Sequence, residues 1–296
     1  MAAPEAVAVP AADTDTARPR PRGLPWRLYG AGFWIAAAWL AVALAVAAGA
    51  DLLPLPDPDK MDLFARAQPP GGAHVLGTDA LGRDLLARVI HGLRVSLAVG
   101  FLSPFMAVAL GGALGLWAGY RGGRVEWAMM SLADVLLAFP PLVLALVLTA
   151  YFGTALINII LILGLLTVPA AIRVARAVTL AVAQQEYVTA ARALGASDLR
   201  IMLREILPNV IVPMTAFFMV AMAVIIVAEG ALSFLGLGVP PPMASLGSMI
   251  AAGRNNLESA PHIAFVPAVA MFLTVLALNL VADALQSRSD PSQGAA

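Results

Sequence analysis

Two carboxylates stand in stretches that are otherwise almost free of charge: Asp134, in the apolar run from Val125 to Ile172, and Glu229, where another apolar run gives way to Gly and Pro. A carboxylate in hydrocarbon is costly and is normally turned toward protein or water, so each is a candidate for lining a pathway or a gate. Each also has a plainer reading. Asp134 can hydrogen-bond a neighbouring helix near one membrane face, and Glu229 can mark the membrane boundary. The three histidines, His74, His91 and His262, have no second histidine at metal-site spacing. No cysteine is present, which excludes disulfides, thiolate catalysis and Cys-ligated metal clusters. The only lysine, Lys60, follows no glycine-rich turn, so the chain lacks a phosphate-cradling ATPase motif. Ser233 and His262 are the nearest approach to a nucleophile and its base, but no Gly-x-Ser-x-Gly stands near either. The residues therefore predict no catalytic group, cofactor or metal in this chain. The adjacent Arg83 and Asp84 read as a contact that organises a loop.

The elements that carry these residues are membrane helices. Of 296 residues, 60% are hydrophobic and 12% charged, against about 25% charged in soluble domains. Net charge is zero, so no field points to nucleic acid. Residues 1–27, rich in Ala and Pro with four Arg, read as a disordered tail. Uncharged runs predict a first span within 28–50 and a second from Val95 to Tyr120. Two more fall between Val125 and Ile172, divided near Gly153 and Asn158, a fifth runs from Ile206 to Ala228, and a sixth from His262 to Ala282. Ala48-Gly49-Ala50 resembles a signal-peptide cleavage site, but the apolar run before it is longer than the usual 7–15 residues. Residues 230–253 are also uncharged, yet Pro240, Pro241 and Pro242 bar a lipid-exposed helix there, so a structured loop is predicted. Six spans place both termini on one side. That side holds twelve of the eighteen basic residues, which makes it cytoplasmic. The division is then a tail (1–27), a first helix (28–50), an extracytoplasmic loop (51–94), a core (95–285) containing a cytoplasmic loop (177–207), and a second tail (286–296). The stripe Trp34, Trp39, Met129 and Met130 needs only lipid or helix packing.

The cytoplasmic loop contains EYVTAARALGASDLRIMLREILPN, residues 186–209. Gln184 to Leu194 suits a helix, with Tyr187, Ala191 and Leu194 on one face. Gly195 suits a left-handed closing residue, Ser197 an N-cap, and Asp198 the positive end of a second helix. Leu199, Met202, Leu203 and Ile206 make a second apolar stripe, and Pro208 turns the chain into the next span. Two short amphipathic helices joined by a glycine elbow either lie on the headgroups or insert into a partner's groove.

This segment resembles the loop shared by membrane subunits of ABC importers, with its Glu-Ala-Ala…Gly pattern. Ala190, Ala191, Gly195, Ile206, Leu207 and Pro208 match in spacing; Thr189 stands in place of the usual Glu, and Glu186 lies one turn earlier. HVLGTDALGRDLLARVIHGLRVSLAVGF, residues 74–101, is similar to the outer loop and second span of the dipeptide, oligopeptide and nickel permeases. Its most specific residues are Gly77, Thr78, Asp79, Gly82, Arg83 and Asp84. AEGALSFLGLGVPPP, residues 228–242, resembles a later loop of the same group, and Asn279, Asp283, Asp290 and Pro291 echo its end. Leu246 and His262 stand where that group has tryptophan. The likeness is to the shorter of two paired permeases. It implies an all-α type I ABC importer permease of six transmembrane helices in the bacterial inner membrane. It also implies a heterodimer with a second permease, one or two kinds of ATPase subunit holding ATP and Mg, and an extracytoplasmic substrate-binding protein. The residues from Glu186 to Pro208 would then form the helix that docks on the ATPase. A carrier coupled to protons or sodium through Asp134 and Glu229, without an ATPase, is the alternative.

Overall fold

The computed structural model describes residues 30–289, so the N-terminal tail and the C-terminal Asp290 and Pro291 lie outside the described residues. The described residues form helices joined by turns: α1 (Ala31–Ala48), α2 (Leu85–Arg121), α3 (Gly123–Ala138), α4 (Pro141–Phe152), α5 (Leu156–Ala183), α6 (Glu186–Ala193), α7 (Asp198–Arg200), α8 (Leu207–Phe234), α9 (Leu246–Gly253) and α10 (His262–Ser289). Among the described residues, five helices are long and apolar enough to cross a bilayer alone, and α3 with α4, bent by 83°, adds a sixth if the pair is one span. The end of α2 touches α7, and α5 runs about 42 Å before leading into α6, so the chain between Arg121 and Leu156 must traverse the bundle. The sharp bend falls at Phe139-Pro140, where the second of two prolines begins α4.

Helix α2 starts at Leu85, ten residues before the expected Val95, so residues 85–94 are already helical. Asp84 caps it by accepting the Ala87 N–H at 2.8 Å. Its first turns carry charges that lipid would not tolerate, and protein groups satisfy them. Arg88 donates to Pro58 O and Asp59, each at 3.1 Å. Arg94 donates to Ala47 O at 2.8 Å, Ala48 O at 3.0 Å and Asp51 at 2.9 Å, closing the C-terminal end of α1. Helix α5 likewise continues past Ile172 to Ala183, because Arg173 and Arg176 pair with acids of α3.

The centre of the bundle is the α2–α5 contact. Gly111, Gly115 and Gly119 recur every fourth residue on one face of α2, and α5 lies directly on them. A Cβ on Gly115 would stand 2.5 Å from Ile172 O and 2.7 Å from Ala175 Cβ. Small residues at this spacing let two backbones approach, the usual device where lipid gives no hydrophobic drive for association. Helix α10 covers α8 and α1; Trp39 Nε1–H donates to Thr274 Oγ1 at 3.3 Å between α1 and α10. The Gly/Pro stretch folds back as a loop whose α9 packs against α2, α8 and α10 with Leu246 and Met249 buried.

Candidate functional site

The α6–α7 elbow is built as a two-faced element. Helix α6 closes through a full Schellman arrangement: Gly195 sits at φ +81°, its N–H bonds Arg192 O at 3.0 Å, and Ala196 N–H bonds Ala191 O at 3.1 Å. Ser197 then caps α7, accepting the Arg200 N–H at 3.4 Å. Val188, Ile201 and Ile206 are fully buried against Leu116, Ala171, Ala175, Val210 and Met214. The apolar stripes differ from those expected. Tyr187 and Leu194 of the first stripe face outward, and Val188 takes the core position. In the second, Leu199 and Leu203 are exposed while Ile201 and Ile206 are buried. In the second stripe the register changes at a π-helical stretch, Ile201–Ile206, between α7 and α8. A wider turn puts residues five apart on one face, where an α-helix would align those three or four apart.

The outward face therefore presents Tyr187, Thr189, Ala190, Leu194, Leu199 and Leu203, with Glu186 in the first turn. Leu194 is 88% exposed. Ala191 is half-buried against the core side. Pro208 is the second residue of α8, which continues directly from the π-helical stretch, so the N–H it lacks is missing from the interior of a continuous helix. Asn209 Nδ2–H donates to the Tyr187 hydroxyl at 3.2 Å, fixing α6 to the start of α8.

The two acids singled out as candidates for a pathway or gate both have protein partners. Asp134 pairs with Arg173 of α5, and Glu126 with Arg176. Both pairs join α3 to α5, so Asp134 is bonded to a neighbouring helix. Glu229 is fully buried, accepting the Ser233 hydroxyl at 2.8 Å and the Ser245 hydroxyl at 2.7 Å. It ties α8 to the start of α9. Truncating Glu229 would leave two buried hydroxyls without an acceptor. Glu229→Ala should lose roughly 2–4 kcal/mol of stability, read as a lowered midpoint of thermal unfolding in detergent. Glu229→Gln, which keeps an acceptor oxygen, should lose much less.

The outer-loop motif is a self-bonded knot. Arg83 pairs with Asp79 at 2.7 Å, not with adjacent Asp84. Asp79 also accepts the N–H groups of Leu81 at 2.8 Å and Arg83 at 3.0 Å. Asp84 caps α2 and meets His74 Nδ1 at 2.8 Å. Thr78 is buried, donates its hydroxyl to Ala65 O and accepts the Gln68 N–H at 2.9 Å. Gly77 and Gly82 take φ of +81° and +76°, which only glycine adopts freely. His262, where tryptophan was expected, places Nε2 3.2 Å from Thr78 O and joins α10 to this knot.

Beside the knot, a hydrogen bond from Arg94 and its positive charge hold the Asp51 carboxyl below the usual carboxylate range. A carboxylate depressed by folding contributes stability above its unfolded pKa of about 4, and that contribution is lost as the pH falls through the lower folded value. The midpoint of wild-type unfolding should therefore drop between pH 5 and pH 3 slightly more than that of Asp51→Asn.

A family model described as "Binding-protein-dependent transport system inner membrane component" matches residues 111–294. The chain belongs to that family. As a binding-protein-dependent transport component it is 39% identical over 240 residues to the glutathione transport system permease protein GsiD of Pectobacterium atrosepticum, covering 81% of this chain and 80% of that one. The protein of the same name from Escherichia coli O6:K15:H31 is 39% identical over 222 residues, covering 75% and 73%. In fold, the chain matches a chain of the inward-facing MetNI methionine ABC transporter with a TM-score of 0.56 at 16% identity, over 70% of this chain and 98% of that one. The chain is thus the membrane component of an ABC importer, all-helical, multi-pass and resident in the inner membrane. Three features of this transport component were missed by sequence reasoning: the glycine seam, the α3–α5 ion pairs and a contact from Tyr120 to Asp198. Only the seam had a visible signal, its four-residue glycine spacing.

Proposed function

We propose that this chain forms half of the translocation pathway of an ATP-driven importer for peptide-type solutes, glutathione or a short peptide among them. The glutathione transport of the named relatives supports that solute class. A second, different permease supplies the other half, and ATPase subunits holding ATP and Mg bind the α6–α7 elbow from the cytoplasm. A binding protein delivers solute to the opposite face. Both tails then lie on the cytoplasmic side with the elbow. The observation that carries this reading is the elbow's exposed face: apolar and small side chains on a rigid, capped turn at the end of the bundle, with the opposite face locked into the core. Exposed apolar surface of this kind marks an interaction site.

Transport follows from differential binding. ATP draws two ATPases together and favours the arrangement in which their grooves bring the two elbows closer, opening the pathway outward; hydrolysis reverses the preference. The test is purification from the native membrane in mild detergent with mass spectrometry of whatever accompanies the chain. A second permease with one or two ATPases is expected. A chain that emerges alone from several detergents would contradict the reading.

A further inference from the structure

The elbow is held by more than apolar packing. Tyr120, next to last in α2, donates its hydroxyl to Asp198 Oδ1 at 2.8 Å. Arg121 Nη2 lies 3.8 Å from Asp198 Oδ2. The Arg192 guanidinium sits over the Tyr120 ring, 5.8 Å from its centroid. Arg192 belongs to α6 and Asp198 to α7, so one side chain touches both arms of the Gly195 elbow. At its far end α2 is fastened to the outer loop through the Asp84 cap, the Arg88 bonds to Pro58 and Asp59, and the bond from Leu85 N–H to Gly77 O at 3.0 Å. A continuous helix of 37 residues, with Pro104 in its interior, therefore runs between the two attachments, a reach of about 55 Å.

The covalent routes out of the elbow are softer. Toward α5 the helix breaks at Gln184–Gln185, and toward α8 the chain passes through the π-helical stretch Ile201–Ile206. Apolar packing is non-directional. A hydrogen bond and a stacked guanidinium fix orientation. We infer that Tyr120 is a positioning residue whose contact with Asp198 and Arg192 makes α2 the rod that carries displacement of the elbow to the outer loop. This rests on the reading of the elbow as the ATPase-docking element.

The chain has no cysteine, so label pairs can be placed by substitution alone. One pair, Leu194→Cys with Arg124→Cys, reports the elbow against the start of α3. A second, Leu52→Cys with Met243→Cys, reports the outer loop against the Gly/Pro loop. Distances are measured by electron–electron resonance in the complex with its partner subunits, without nucleotide and with ATP plus vanadate. In the wild type both pairs should change with nucleotide. In Tyr120→Phe the ratio of molecules at the nucleotide-dependent outer distance to those at the nucleotide-free distance should fall roughly fivefold, as expected for the loss of one hydrogen bond. Asp198→Ala should give the same loss from the other partner, while Asp198→Asn, which keeps an acceptor oxygen, should stay near wild type. A full outer change in Tyr120→Phe or in Asp198→Ala overturns the inference and leaves the docking reading intact. No nucleotide-dependent change at either pair in the wild type overturns the docking reading itself.

Discussion

Gly115→Leu should prevent the bundle from packing. The added Cβ alone would sit 2.5 Å from Ile172 O, 2.7 Å from Ala175 Cβ and 3.0 Å from Arg176 N. Two of these atoms belong to the α5 backbone, so no rotamer change relieves the clash and the helices must part. Overpacking a well-filled interior typically costs about 1–3 kcal/mol. A clash against backbone at the centre of the largest interhelical contact should reach or exceed the top of that range. Parting the helices also opens the seams at Gly111 and Gly119, where an added Cβ would stand 2.6 Å from Ala171 Cβ and 2.9 Å from Thr179 Cβ. The expected result is aggregated or degraded protein, with no monodisperse peak on size-exclusion chromatography. Gly112→Ala is the matched control one residue away. Its Cβ would meet only Met214 Cε, at 3.6 Å, so that variant should purify like wild type. Equal behaviour of the two variants would show that the seam does not hold the fold.

Gly195→Pro should separate ATP hydrolysis from transport. Proline fixes φ near −65°, and the elbow needs +81°. Proline also removes the N–H that bonds Arg192 O at 3.0 Å. Nothing lies within 4 Å of a Cβ built on Gly195, so Gly195→Ala carries only the strain of a left-handed residue, about 1 kcal/mol. The proline variant should insert and accumulate, because the elbow lies outside the spans and the buried seat of Val188, Ile201 and Ile206 remains. Its transport per ATP should fall tenfold or more, measured with glutathione and a dipeptide in vesicles containing the whole complex. Gly195→Ala should lose far less. Ala190→Arg changes the exposed face without touching the core and should weaken docking. Ala191 is half-buried on the core side, so a large residue there would disturb the seat as well. Normal transport by Gly195→Pro would contradict the coupling role.

How far these features can be read from sequence depends on whether the signal is local. The Gly195 elbow and Ser197 cap are legible because backbone conformation and a three-residue hydrogen bond are written in neighbouring residues. The bar that Pro240 to Pro242 place on a sixth apolar run is legible for the same reason. The start of α2 is not, because counting uncharged residues treats Arg88 and Arg94 as outside the helix, while Pro58, Asp59 and the end of α1 satisfy them there. The face of α7 is misread because a π-helical stretch changes the period on which the stripe was counted. Arg83 meets Asp79 and not Asp84, and Asp134 meets Arg173 39 residues away. Such pairings are decided by the path of the chain, and spacing does not encode them. Glu229 shows the same limit: its bond to Ser233 lies one turn away, but the bond to Ser245 depends on the loop folding back.

The central claim is that the outward face of α6 meets an ATPase. Ala190→Cys carrying a photoactivatable cross-linker, illuminated in native membranes, tests it most directly. The account predicts an adduct between this chain and an ATPase subunit, with a yield that changes when ATP is added. A probe at Ala190 that reacts only with lipid, with or without ATP, would contradict it and leave the elbow as a helix lying on the membrane surface.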